Sequence, residues 1–241
     1  MVEFIDQVLI QRYIDRDNES LSSAELGFKE LGIPTERFDS KVQLDSLPLT
    51  RSTLVCGGIG TVRYALELVG AKDPEMIDYP EELTLFYGRK IWKSTLGKMR
   101  EEDQENIFIK PTSQKLFMGH IRNNVGYLTQ TAAFENDLEI WCSDSVKFIS
   151  EYRTFVSDGQ VVGCKHYKGD FLTFPNTDII HACVQRMTPK YKTYSLDVGI
   201  TEDLETLVVE VNDAFSLGSY GLGCVTYAKM LENRWLEIVN G

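Results

Sequence analysis

The sequence predicts an α/β (α+β) chain in two parts, and three observations predict it. Over residues 1–100 short apolar runs alternate with helix-patterned stretches, the grammar of strands connected through helices. From Asn106 onward the pattern becomes strand-rich, with a hairpin signalled by Asp158-Gly159 between two alternating runs. The third observation is the segment Leu207-Val208-Val209-Glu210-Val211-Asn212-Asp213, a Val-rich strand carrying a carboxylate and a carboxamide two residues apart. The expected division is an N-terminal α/β domain over 1–100 and a second domain, built on antiparallel sheet, over 101–241.

The elements follow in order. Residues 7–13 read as a strand, and 20–31 as a helix with Ser20 or Ser22 as its cap and Gly32 near its end. Residues 53–56 form a short apolar strand, followed by Gly57-Gly58-Ile59-Gly60 and a helical pattern over 61–69. That glycine turn matches neither GxGxxG nor GxxxxGK[ST], so it reads as a tight connection rather than a phosphate loop. A charged stretch over 88–105, with Lys90, Lys93 and Lys98, reads as a linking helix; Lys90 and Lys93 could face a phosphate, although lysines on a solvated helix face are the commoner case. Strands are expected at 106–111 and 138–142, then a hairpin of 148–156 with 160–166. A helix over 178–187, a second hairpin of 194–200 with 207–213, and a closing helix over 222–235 complete the chain.

Composition narrows the class. The chain has 241 residues, 43% of them hydrophobic, with a net charge of −11. That charge disfavours extended nucleic-acid binding, which needs a track of basic residues, yet leaves room for a nucleotide site. No run of about 18 or more apolar residues suggests a membrane span. The five cysteines are scattered with no CxxC pair, and the acidic N-terminus lacks a secretory basic region. A cytoplasmic protein with reduced thiols is the expectation. The three histidines form no HExxH pair, and no GxSxG elbow anchors a serine triad.

The candidate chemistry lies in the two hairpins and one lysine. Alternation places Val208, Glu210 and Asn212 on one face of their strand. A hairpin centred between Asp203 and Leu204 sets Asp197 directly across from Glu210. Three oxygen donors then converge, fit for a hard divalent cation holding phosphate oxygens; an edge hairpin with its polar side chains in water is the alternative. Lys110, followed by Pro111, ends an apolar strand where its ammonium can meet a phosphate or snorkel to solvent. In the first hairpin Glu151 and Arg153 share a face, as an ion pair or as a carboxylate beside an anion-binding arginine. Lys165 ends the return strand; a two-residue turn puts it opposite in facing to Arg153, and a three-residue turn aligns the two.

The succession Ile107-Phe108-Ile109-Lys110-Pro111, Trp141-Cys142, Glu151-Tyr152-Arg153, Lys165, Asp197 and Glu210-Val211-Asn212 resembles the ATP-grasp superfamily over the C-terminal 140 or so residues. Within it the chain is most similar to the arginine-to-lysine clade found in phage and bacterial genomes. The resemblance implies an ATP-grasp fold preceded by a pre-ATP-grasp domain, with ATP and Mg2+ as cofactors. It implies that Lys110 contacts the α- and β-phosphates, and that the strand around Trp141 and Cys142 is a hinge reading adenine through its backbone. Glu151 would bind ribose hydroxyls, and Asp197, Glu210 and Asn212 would hold magnesium. Where many relatives carry an arginine after the hairpin, this chain offers Lys165, His166, Tyr167 and Lys168. Lys165 is the residue expected at the transferred phosphoryl group, with Lys168 the alternative.

The implied activity is a carboxylate–amine ligase working through an acylphosphate, with Arg153 orienting the carboxylate or acylphosphate. Phosphoryl transfer to an alcohol on the same fold, or a non-catalytic nucleotide-binding protein, are the alternatives. The expected partners are a small-molecule or peptide carboxylate and an amine, contacted by loops 112–124 and 215–223.

Overall fold

A computed structural model describes residues 1–13, 18–102, 106–113, 116–122 and 129–241. Strands β1 (Gln7–Gln11), β2 (Thr35–Phe38) and β3 (Thr53–Cys56) form a parallel sheet in the order β2-β1-β3. Helix α1 (Glu19–Glu30) connects β1 to β2, a short 3-10 turn at Lys41–Ser46 leads on to β3, and helix α2 (Ile59–Leu68) follows β3. The apolar faces of the two helices bury Ala24, Phe28, Val62, Ala65 and Leu66 with Val8, Leu9, Ile10 and Leu54 of the sheet. The cap of α1 is Asn18, whose side chain accepts from the Leu21 N–H at 3.1 Å, so neither expected serine fills that role. β2 carries little apolar signal in the sequence because only Phe38 of its four residues is buried.

A second sheet, antiparallel, runs in the order β4-β7-β5-β6, from β4 (Ile91–Thr95), β5 (Ile107–Pro111), β6 (His120–Ile121) and β7 (Glu139–Asp144). The linking helix expected over 88–105 is therefore corrected to β4 followed by the short helix α3 (Leu96–Glu101). β-branched and aromatic residues Ile91, Trp92 and Thr95 favour the strand, and pairing with β7 secures it. The third sheet, also antiparallel, runs β11-β10-β8-β9, from β8 (Phe148–Ser157), β9 (Gln160–Gly169), β10 (Tyr194–Thr201) and β11 (Thr206–Asp213). Helix α4 (Thr177–Met187) covers one face, burying Ile180, Cys183 and Met187 with Leu196, Val198 and Val208. The other face is left to the site.

The last helix, α5 (Cys224–Asn240), returns to the first unit and packs on α1. The approach is close: a Cβ on Gly27 would sit 2.1 Å from the carbonyl oxygen of Cys224, so only glycine fits there. Tyr227, Leu231 and Trp235 of α5 join the core of the parallel sheet, and Trp235 Nε1 donates to the Arg51 carbonyl at 2.9 Å. Among the described residues no helix is long and apolar enough to cross a membrane.

Candidate active site

Three extra residues in the third sheet decide what faces the cleft. Ser157 pairs with Gln160 across a two-residue turn in which Asp158 (φ 48°) and Gly159 (φ 72°) are both left-handed. Continued without a break, that register would turn Lys165 away from Arg153. The register shifts between Phe155 (opposite Gly163) and Val156 (opposite Val161), leaving Val162 unpaired and setting Lys165 directly opposite Arg153. A second shift leaves Tyr167 unpaired and sets Lys168 opposite Glu151. In the other hairpin Val198 pairs with Val208 but Asp197 pairs with Glu210, so Val209 is the extra residue.

Asp197 thus lies across from Glu210 as expected, but a bulge rather than the turn sets the register. The same bulge corrects the face of Val208, which lies in the core beneath the sheet while Glu210 and Asn212 turn the other way. The carbonyls flanking the bulge do not go unsatisfied. Arg89 donates to Val208 O at 2.8 Å and to Val209 O at 2.9 Å.

Glu151, Arg153, Lys165, Asp197, Glu210 and Asn212 therefore share one sheet face. Arg153 pairs with Asp197, through Nε to Oδ1 at 2.8 Å and Nη2 to Oδ2 at 2.6 Å, so the ion pair with Glu151, one of the two readings of their shared face, does not form. Burial works against its charge, but Asp197 outweighs it and holds the guanidinium above its ordinary range. The Tyr220 ring stacks on this guanidinium at 4.6 Å and meets Tyr167 at 5.6 Å. Glu151 instead accepts from Tyr167 Oη at 2.8 Å and from Lys168. Asn212 Nδ2 donates to Glu210 Oε1 at 2.9 Å and lies 3.4 Å from Asp197 Oδ2, tying the two acids together.

The second sheet faces this array. Lys93, Trp141 and Lys110 lie in register across β4, β7 and β5, so Lys93 stands on a strand beside the cleft rather than on a solvated helix. Lys110 crosses the cleft: its Nζ is 2.8 Å from Glu210 Oε2, is also bonded to Asp78 Oδ1, and lies 4.2 Å above the Tyr79 ring. Burial opposes the ammonium, yet Glu210, Tyr79 and Asp78 hold it charged well above the usual lysine range.

Trp141 packs edge-on to Tyr79 at 5.3 Å, while the Cys142 side chain points the other way into the core of its own sheet. β7 is paired on both sides, so the backbone of Trp141 and Cys142 is engaged by Lys93, Trp92, Lys110 and Ile109. The segment joining the two sheets is 145–147.

Asp78, Tyr79 and Arg89 are not among the expected site residues, and Tyr220 is expected only as part of loop 215–223. The first three sit in the connection ahead of β4, where no strand pattern marks them; Asp78-Tyr79-Pro80, an acid and an aromatic before a proline, is the only local signal. Residues Phe215, Ser216, Leu217 and Gly218 close a cavity of about 140 Å³ against Tyr13, Gly57 and Gly58 at the ends of β1 and β3. Of loop 112–124, residues 114–115 and 123–124 lie outside the described residues.

The donor set at Glu210, Asn212 and Asp197 consists of hard oxygens, which suits Mg2+. Each oxygen of a carboxylate has room for two partners, so Asp197 can hold Arg153 and still meet a cation. Among the described residues no group of three or more His, Cys, Asp or Glu is placed to hold a metal by itself, so phosphate oxygens would have to complete the shell.

The fold has counterparts among solved structures. D-cycloserine synthetase DcsG superposes with a TM-score of 0.61 at 12% identity, over 95% of this chain and 99% of that one. A RimK-domain ATP-grasp protein from Sphaerobacter thermophilus gives 0.56 at 14% identity, over 98% and 100%. PsnB, an ATP-grasp ligase solved with a minimal precursor, gives 0.52 at 12%, over 94% and 98%. At such identities the likeness is one of fold. No curated protein matches the sequence. The ATP-grasp domain of the arginine-to-lysine clade, family 2, matches residues 86–230, from just before β4 into α5 and through every residue of the two facing sheets. With more than half of its length inside that match, the chain belongs to the arginine-to-lysine clade of the ATP-grasp domain family.

Proposed function

We propose that the protein is an ATP-dependent carboxylate–amine ligase. The observation that carries this reading is the meeting of Lys110, from one sheet, with Glu210 and Asn212, from the other, beside the buried Arg153–Asp197 pair. A cation and hard oxygen donors face each other across a cleft, which is what a triphosphate with magnesium needs. The structural counterparts include a D-cycloserine synthetase and an ATP-grasp ligase bound to a minimal precursor, which agrees with ligation of small or peptide substrates.

In this reading Lys110 holds the α- and β-phosphates, and the crossing at 145–147, which follows the strand of Trp141 and Cys142, receives the adenine. Glu151 takes the ribose hydroxyls, its other contacts being Tyr167 and Lys168. Glu210, Asn212 and Asp197 hold Mg2+, which neutralises phosphate charge when bound. Lys165 serves the transferred phosphoryl group. It faces Arg153 and has no ion-pair partner among the described residues, whereas Lys168 is tied to Glu151.

A substrate carboxylate oxygen attacks the γ-phosphorus and ADP leaves; an amine then attacks the acyl carbon, losing a proton as phosphate departs. Arg153 orients the acyl group through the edge of its fork not committed to Asp197. The cavity against Tyr13, Gly57 and Gly58 is the place for the acceptor.

The test is incubation with ATP, Mg2+ and pooled amino acids or peptides, with products read by mass spectrometry. An amide product formed with equal ADP and phosphate supports the ligase. ADP with a phosphorylated alcohol makes the protein a phosphotransferase, and no turnover with retained ATP binding makes it a binding protein.

A further inference from the structure

Asp78 reaches the cleft from the connection ahead of β4, and its position is unusual in three respects. Its backbone is left-handed (φ 46°), a conformation that a residue with a Cβ adopts only at some cost in strain. It is 8% exposed. Its carbonyl accepts from the Val211 N–H at 3.0 Å, so that the segment adds to the outer edge of β11 between Glu210 and Asn212. All three features bring its carboxylate to the Lys110 ammonium, which then has two acids, Asp78 and Glu210, for one positive charge. Tyr79, the next residue, supplies the ring beneath that ammonium at 4.2 Å.

The charge count matters once Glu210 is asked to do something else. With Glu210 alone, a buried ammonium would compete with any cation for the same carboxylate, because leaving Lys110 unpaired is expensive. With Asp78 present, Glu210 can turn to a cation while Lys110 stays paired, still aimed at the cleft by one carboxylate and one aromatic face. Its remaining N–H donors are then free for phosphate oxygens.

We infer that Asp78 is a positioning residue that holds Lys110 in place and so releases Glu210 for Mg2+ when Mg2+ and ATP bind together. The inference rests on the nucleotide-binding reading above and extends it to a residue outside the two facing sheets.

The experiment measures ATP affinity by calorimetry, with Mg2+ and in EDTA, for the wild-type chain, Asp78→Asn and Asp78→Gly. The ratio of the two affinities is the coupling between metal and nucleotide. Glycine relieves the left-handed backbone, so Asp78→Gly offers a folded protein without the carboxylate even if the asparagine variant is unstable. Both variants should keep ATP binding in EDTA and lose about tenfold or more of the Mg2+-dependent gain, the range in which outer partners of metal ligands act. The Mg2+ concentration at half-effect should rise by a similar factor.

A residue that merely shapes the turn would change both affinities together and leave their ratio alone. An unchanged ratio in variants of an ATP-binding wild type overturns the role of Asp78 and leaves the function reading standing. Failure of both variants to fold overturns it as well, since the carboxylate would then serve the fold. Absence of ATP binding by the wild type overturns the function reading, and this inference with it.

Discussion

Arg153 and Asp197 are bound to each other by two hydrogen bonds of 2.8 and 2.6 Å, with side chains only 9% and 2% exposed. Breaking such a pair strands a buried charge, at about 3–5 kcal/mol. Arg153→Ala should therefore lower stability by that order. Arg153→Lys keeps the charge but loses the fork, leaving one Asp197 oxygen short of a donor at about 1–3 kcal/mol. Turnover should fall in Arg153→Lys more than ATP affinity does. Thermal melts alongside separate kcat and ATP-binding measurements check this; normal turnover in the folded lysine variant would make the pair purely structural.

Lys110 carries more than a phosphate contact. Its side chain is 13% exposed and balances Asp78, 10% exposed, so Lys110→Ala should cost about 3 kcal/mol of stability as well as ATP affinity. A lysine snorkelling to solvent, the other option at a strand end, would instead lose little stability on truncation. Adding Asp78→Asn to Lys110→Ala should restore part of the stability but none of the binding, a coupling that a double-mutant cycle reads directly.

Arg89 holds the β11 bulge. Arg89→Met should leave the carbonyls of Val208 and Val209 without donors, for about 1–3 kcal/mol. The register that turns Glu210 to the cleft should loosen with it. Weaker Mg2+-dependent ATP binding, with faster amide exchange along β11 and β10, is the expected result; unchanged exchange there would show that the bulge holds itself.

Glu237 gives a pH test away from the site. Burial raises its carboxyl above the ordinary 4.5, against the pull of Thr193 and Arg234. A carboxyl whose folded pKa is raised binds its proton more tightly in the native state. Its stabilising effect is thus full below pH 4.5 and is lost as pH rises through the folded value. Glu237→Gln should be more heat-stable than the wild type at pH 7, and the gap should close below pH 4.5.

Periodic segments are legible in the sequence. The run Thr53–Cys56 can be read to the residue, and the hairpin at Asp158-Gly159 from its turn residues alone, because local chemistry decides both. The pairing of Asp197 with Glu210 is also legible, though for an incomplete reason: the extra residue Val209 has no mark in a run of valines. Val162 and Tyr167 are hidden in the same way, so only the ladder itself settles the facing of Lys165. Asp78, Tyr79 and Arg89 are out of reach for a different cause. They act through partners more than thirty residues away, on a segment with no periodicity of its own.

The docking of α5 on α1 has a consequence for how the chain is made. The parallel sheet is synthesised first, but Tyr227, Leu231 and Trp235, which finish its core, follow it by more than a hundred residues. Until they arrive the face of α1 at Gly27, on which α5 docks, lacks its cover. Completion of the N-terminal unit therefore waits on the far end of the domain, and the two antiparallel sheets, whose partners are nearer in sequence, have time to pair before it.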